Sequence, residues 1–281
     1  DTPTPQDPPP TGTPRSTVNS PVAACSAAGT LLLYLLVSTL AFRDRWSGER
    51  FVAGISASLV NSTNLGLPIA AYVLGDIRLA APVIAFQLAI YTPLYIILLD
   101  QVSGERNIKR RSNMSAKNAK YSRRLFTTLN TFVQSAANPI ALGALMGLLF
   151  SWKQWRVPDF LDETLDLVGG AAVPLLLLSF GLSLVGNKPL SRSEGRRLDV
   201  LIAAVFKLVL HPLLAYLTAV LFFQLEGPAL LAAVVMAGLP SAQNVFVAAI
   251  RYGTGEITAR DTVLVTTVLA APTIALFVVL L

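Results

Sequence analysis

The sequence predicts an all-α polytopic membrane protein, and two properties of its 281 residues support this fold class. Only 14% of the residues are charged and 53% are hydrophobic, whereas soluble domains carry about 25% charged residues. The apolar residues form runs of about twenty, long enough for a helix to cross a hydrocarbon core about 30 Å thick. A single His and a single Cys exclude Cys/His zinc sites, disulfide frameworks and most His-based hydrolases.

Eight predicted spans follow a polar N-terminal segment. Residues 1–21 are rich in Pro and Thr without an apolar run, which predicts a disordered tail and not a signal peptide. The chain begins with Asp, so we expect a truncated or processed chain. The predicted spans are 22–42, 51–74, 79–99, 128–152, 166–186, 200–223, 228–250 and 262–281.

The placement of Lys and Arg predicts the orientation in the membrane. Four alternate loops, 43–50, 100–127, 187–199 and 251–261, hold 17 of the 22 basic residues, and the opposite segments hold 4. Cytoplasmic loops carry the excess of basic residues, so both termini are predicted outside a cell or plasma membrane. Residues 100–127 then form a basic cytoplasmic loop, which sets the topology or meets anionic lipid.

Two predicted spans share a polar motif in an otherwise apolar helix. Residues 61–68 read NSTNLGLP and residues 237–244 read AGLPSAQN, and the span after each motif contains an internal Pro. Equivalent helices five spans apart run in opposite directions through the membrane, which is the inverted-repeat arrangement of secondary carriers. Residues 22–99 are thus predicted as the remainder of a first repeat, and residues 128–281 as a second repeat of five spans.

The Gly-Leu-Pro tripeptides predict a break in each of these helices. Pro68 and Pro240 lack an amide hydrogen and crowd the carbonyl four residues before them, while Gly66 and Gly238 ease unwinding. A broken helix survives in a membrane only inside protein or beside a water-filled cavity. Two such helices from opposite repeats would direct their half-helix ends at one point near the midplane.

The residue types near these breaks predict a site for an anion. The neutral amides that could bind a carboxylate are Asn61, Asn64, Gln243 and Asn244. Asn138-Pro139 in span 128–152 forms either a wall of this site or a kink. By these boundaries every Asp and Glu lies in a loop, in the tail or at a span end, so a carboxylate-based cation site is not expected.

Two ionisable residues lie at the depth of a predicted span. Lys207 is a candidate for attracting the anion or for proton coupling, although it could equally extend toward the headgroups. His211 could titrate near neutral pH, but a hydrogen bond to a neighbouring helix is the more common role of a lone His.

From Val22 to Leu281 the sequence resembles the auxin efflux carrier family. The resemblance rests on NSTNLGLPIAAYVLGD, NPIALGALMGLLFS, AAVPLLLLSFGLSL, KLVLHPLL and AGLPSAQNVFVAAIRYG, in this order along the chain. It implies ten helices in two inverted five-helix repeats, of which this chain carries eight. It also implies that Asn61 and the Asn138-Pro139 pair contact a substrate carboxylate, with Pro139, Pro240 and Asn244 near the helix breaks.

Together these observations predict a secondary carrier for a small organic anion, working by alternating access. Expected partners are the anion, a proton or other coupling ion, the lipid bilayer and a second copy in a homodimer; no cofactor, metal or nucleic acid is expected. The alternatives are an incomplete carrier fragment and a carrier of the bile-acid/sodium type. A membrane-embedded enzyme is a further alternative, but only Lys207 and His211 could supply its chemistry.

Overall fold

The computed structural model describes residues 19–41, 45–112, 143, 146–147, 149–150, 152–185, 189–191 and 194–281. The described chain is built from helices. These are α1 (Asn19–Ala41), α2 (Ser47–Ser58), α3 (Leu67–Tyr72), α4 (Ala81–Phe86), α5 (Thr92–Ser112), α6 (Asp159–Leu184), α7 (Arg197–Val205), α8 (His211–Leu221), α9 (Gly227–Ala237), α10 (Asn244–Tyr252) and α11 (Glu256–Leu280). Wider π-turns lie at Ser62–Gly66, Gln87–Tyr91 and Phe206–Leu210, and a 3-10 turn lies at Ile77–Leu79.

Four continuous helices among the described residues are long and apolar enough to cross a membrane. They are Asn19–Ala41, Ile77–Val102, Arg197–Leu221 and Glu256–Leu280. Each coincides with one of the predicted spans. The predicted spans 51–74 and 228–250 are instead pairs of shorter helices, and most of span 128–152 lies outside the described residues. The eight-span count therefore stays a prediction.

Helix α1 turns its large apolar side chains outward. Leu32, Leu36 and Leu40 are 66%, 58% and 67% exposed and follow one another at intervals of four residues, so they form a stripe on one face. The opposite face buries Thr30 and Tyr34 completely. A helix whose exposed face is leucine-rich and whose inner face is small or polar fits an environment of lipid.

Small residues let α2 pack closely against α1. A Cβ atom added at Gly54 would come within 2.8 Å of the Leu31 side chain, so the two helices touch where Gly54 has only hydrogen. Ala53 and Ala57 on α2 are also buried. Close packing of this kind replaces the hydrophobic driving force, which is absent between helices in lipid.

Each π-turn among the described residues comes just before a proline. The turns Ser62–Gly66, Gln87–Tyr91 and Phe206–Leu210 precede Pro68, Pro93 and Pro212 by two residues. A proline cannot donate a hydrogen bond and its ring crowds the carbonyl four residues earlier. Widening the preceding turn relieves this crowding without ending the helix. Gly66 and Pro68, expected at a helix break, therefore lie in a continuous helix that starts at Ser62.

The main apolar core packs around α2 and α10. It includes residues from α1, α2, α5, α10 and α11, among them Ile55, Tyr95, Leu99, Val245 and Val263. Burial of these side chains holds together segments that are far apart in sequence, and it positions the two interrupted helices against each other.

Gly255 is the N-cap of α11 and sits in a left-handed backbone conformation with φ +65°. A Cβ there would lie 2.9 Å from the Val52 side chain. We expect Gly255→Ala to lower the free energy of unfolding by about 3 kcal/mol, since backbone strain and overpacking add.

Gly253, with φ +59° and no atom within 4 Å of its added Cβ, is the matched control. Gly253→Ala should cost about 1 kcal/mol. Thermal denaturation in detergent measures both, and equal losses would contradict the contact with Val52.

Candidate functional site

Two interrupted helices meet at their unwound segments. Helix α2 ends at Ser58, and the chain resumes a helix at Ser62; α9 ends at Ala237, and α10 begins at Asn244. The unwound segments 59–61 and 238–243 pair as a short antiparallel bridge. In this bridge the Asn61 amide donates to the Pro240 carbonyl at 2.9 Å.

Further hydrogen bonds satisfy the unwound backbone. The Ala242 amide donates to the Leu59 carbonyl at 3.1 Å, and the Ser241 amide donates to Thr266 Oγ1 on α11 at 3.1 Å. The Ser241 hydroxyl donates to the Ser56 carbonyl at 2.5 Å. Backbone groups without partners are costly in lipid, so these bonds stabilise two unwound segments inside an apolar core.

A small polar pocket opens beside this crossing. Its lining brings together three of the predicted amide residues, Asn61, Asn64 and Asn244. The remaining lining residues are Leu59, Val60, Ser62, Thr63, Gln87, Leu88, Thr92 and Ala242. None of the described residues that line this pocket is Asp or Glu. The pocket therefore offers neutral hydrogen-bonding groups and no negative charge that would repel an anion.

Two helix N-terminal ends border the pocket. The helix that begins at Ser62 continues through α3, and α10 begins at Asn244; both starting residues line the pocket. The N-terminal end of a helix carries a partial positive charge and free amide hydrogens, so it attracts anions. In the interior of a membrane protein this attraction is less screened than in water.

Sequence reasoning missed three polar residues of the lining. Ser62 donates to Gln87 Oε1 at 2.6 Å, which joins the resumed helix to the π-turn before α5. Thr63 and Thr92 complete the polar wall. Gln87 forms this hydrogen bond between helical segments while also lining the pocket. Its position six residues before Pro93 was the available signal, because a proline disturbs the helical turn that precedes it.

Other predicted site residues lie beside the pocket or elsewhere. Gln243 is the N-cap of α10 and is 8% exposed, and its Oε1 has no partner among the described residues, yet it is not part of the lining. Gly238 caps α9 and lies against Phe277, where an added Cβ would meet the ring at 3.2 Å. Pro240 lies within the unwound segment. Asn138 and Pro139 lie outside the described residues.

Lys207 lies outside the pocket lining. Its side chain is 0% exposed and is enclosed by the described part of the protein. Its Nζ donates to the Ala237 carbonyl at 2.8 Å and lies 2.8 Å from Nδ1 of His211. Ala237 is the last residue of α9, so the amine meets the negative end of the first half-helix.

The comparison with known proteins decides the family. Residues 14–278 match the family model described as "Membrane transport protein", which is of the auxin efflux carrier type. The chain belongs to this family. The resemblance seen in the sequence is thereby confirmed, and the family together with the apolar helices supports a multi-pass membrane protein.

One curated relative from this transport class is similar over half of the chain. It is the "Putative malonate transporter" of Rhizobium meliloti (strain 1021), with 33% identity over 139 residues. The match spans 50% of this chain and 42% of that relative's length.

Proposed function

We propose that the protein is a secondary transporter of a small organic anion, specifically a carboxylate, and that it binds the anion where the two interrupted helices cross. The observation that carries this proposal is the pocket formed by two helix N-terminal ends together with the amides of Asn61, Asn64 and Asn244. The relative is named a malonate transporter, and this name supports a dicarboxylate as the first substrate to test.

The chemistry of the pocket suits a carboxylate. Each Asn side chain donates through its NH₂ group and keeps a carbonyl oxygen for other pocket residues. Hydrogen bonds from a neutral donor to a charged acceptor are stronger than those between neutral groups. Because the site carries no full positive charge of its own in its described lining, it can release the anion again after the protein changes its access side.

The proposed transport mechanism is alternating access between two inverted repeats. The order of a helix, an interrupted helix and a helix occurs twice, over 19–112 and over 197–280. The antiparallel pairing of Val60 with Ser241 supports opposite directions of the two copies. The orientation with both termini outside and 100–127 in the cytoplasm, and the placement in the plasma membrane, belong to the same proposal.

Replacing Asn61 tests the site directly. Asn61 is 7% exposed, lines the pocket and uses only its backbone amide in the bridge to Pro240. Asn61→Ala should therefore keep the crossing and lower carboxylate transport about tenfold, which is the loss expected for one hydrogen bond to a charged group. Uptake of radiolabelled malonate into proteoliposomes containing the full-length protein is the measurement.

Gln101→Ala is the matched control, because Gln101 is an exposed amide on α5 outside the pocket. It should transport malonate like the unaltered protein. Unchanged transport by Asn61→Ala would exclude Asn61 from the binding site. If the unaltered protein moves neither malonate nor any other carboxylate tested, the proposed function is wrong.

A further inference from the structure

Lys207 and His211 form a buried pair without a carboxylate. They are one helical turn apart, 0% and 2% exposed, with Nζ and Nδ1 separated by 2.8 Å. The Ala237 carbonyl is the third member of the cluster. An ionisable group inside a membrane protein is costly to keep, and such groups commonly take part in transport or proton transfer.

The ionisable groups of the surrounding elements do not neutralise this pair. The turn that holds Lys207 packs against α1, α2, α7, α8 and α11, and α9 supplies the Ala237 carbonyl. Described ionisable residues on these elements are Cys25, Tyr34, Glu49, Arg50, Arg197, Asp199, Tyr216, Glu256, Arg260 and Asp261. Three of the four described acidic residues on these elements have basic partners: Asp199 pairs with Arg45, Glu49 with Arg196 and Asp261 with Arg260. The fourth, Glu256, is exposed at the start of α11.

The far side of the His211 ring faces a second cavity. Its Nε2 lies 3.4 Å from the Ser26 hydroxyl, and both residues line a small cavity. Asn19 also lines it; this residue is 2% exposed, and neither polar atom of its side chain has a partner in the described part of the chain. A cavity with several unsatisfied polar groups is a site where water is held in proteins.

Gln87 connects this cavity to the pocket at the crossing. It lines both, and its side-chain oxygen accepts a hydrogen bond from Ser62, which also lines the pocket. The polar groups therefore run from Lys207 through His211 and the second cavity to Gln87 and the anion pocket.

We propose that Lys207 and His211 together bind the proton that moves with the anion. The inference rests on the proposed anion transport. In the charged state Lys207 is an ammonium that donates to His211 Nδ1, and His211 carries its proton on Nε2. On release, the Nε2 proton passes to water in the second cavity while an ammonium proton moves to Nδ1. The pair goes from one positive charge to none, and one proton is delivered.

The charge balance gives a physical reason for this coupling. An anion and a proton bound in the same protein reduce the net charge that has to cross the apolar part of the membrane. The neutral pair also loses the charge-assisted bond to the Ala237 carbonyl, at the end of the interrupted helix α9. Proton binding is thereby linked to one of the two helices that form the anion pocket.

Proton-driven uptake by the full-length protein in proteoliposomes tests the proposal. A trapped pH-sensitive dye should report proton entry on addition of malonate. An inward proton gradient of about one pH unit should raise malonate accumulation about tenfold. In one-to-one cotransport, a tenfold proton gradient supplies the free energy for a tenfold malonate gradient. In Lys207→Met, malonate exchange should persist, but the proton gradient should no longer raise malonate accumulation, a change of about onefold.

Lys153→Met is the control, since Lys153 is an exposed lysine outside both cavities. If Lys207→Met does not fold, as judged by gel filtration, His211→Gln removes the second proton site while keeping a side chain that can form hydrogen bonds. Gradient-driven accumulation by either folded variant at the unaltered level would overturn the proposal. Malonate uptake without proton movement by the unaltered protein would overturn it too and leave the anion transport standing. Absence of any malonate movement would overturn both.

Discussion

Asn244→Asp is expected to weaken carboxylate binding about a hundredfold while leaving the protein as stable as before. Asn244 is exposed and lines the anion pocket, so the new carboxylate would face the substrate. Two negative charges about 5 Å apart repel by about 3 kcal/mol at an effective dielectric constant of about 20. Binding of radiolabelled malonate to the detergent-solubilised full-length protein measures the loss.

Stability should not fall, because Asn244 is the first residue of α10. A negative side chain at a helix N-terminus interacts favourably with the helix dipole. Asn244→Ser is the control, since serine keeps a short polar side chain without the charge. The difference between the Asp and Ser variants should shrink at high salt. Equal affinity of these two variants at low salt would contradict an anion site at this position.

The second large effect is expected for Asp261→Ala, which should lower the free energy of unfolding by about 3–5 kcal/mol. Asp261 is 1% exposed at the start of α11 and accepts hydrogen bonds from Arg260 Nε and from the Leu190 amide, both at 2.8 Å. Arg260 is 6% exposed. Removing the carboxylate leaves a buried guanidinium whose remaining acidic contact among the described residues is Glu194 at 3.4 Å. Thermal denaturation in detergent is the measurement.

Asp76→Ala provides the comparison, because it breaks an ion pair at the surface. Hydrogen bonds from Arg78 hold the pKa of Asp76 below its usual range, but both side chains are in contact with solvent. Exposed pairs contribute little to stability, so no measurable change is expected. A similar loss in both variants would mean that burial of Asp261 is not the cause.

The positions of the spans could be predicted because membrane insertion depends on local composition. Runs of about twenty apolar residues are needed to cross the hydrocarbon core wherever they occur in a chain. Four predicted spans accordingly coincide with continuous helices, and the two motif-bearing spans with interrupted ones. The effect of a single proline is harder to predict. Pro68 and Pro93 each follow a π-turn, whereas Pro272 lies inside α11, so the local response differs with the packing around it.

The candidate site was predicted only in part for a similar reason. Asn61, Asn64 and Asn244 share the pocket because the two motifs that contain them cross. Gln243 directly precedes Asn244 in the sequence. Adjacent residues of a helix point in different directions, however, and the Gln243 side chain is buried in the protein. Lys207 was a candidate for attracting the anion or for proton coupling, and equally for extension toward the headgroups; it is buried and lies outside the pocket lining.

The sequence by itself determined the class of the protein, the approximate limits of its spans, the two polar motifs and the family. These properties depend on composition and on residues that are close together in the chain. The tertiary structure alone decided where the helices break, which amides share the pocket, and that Lys207 meets His211 and the Ala237 carbonyl. The physical reason is that these contacts, apart from the Lys207–His211 pair within one helical turn, join residues 30 to 185 positions apart. Packing, not local preference, selects such pairs.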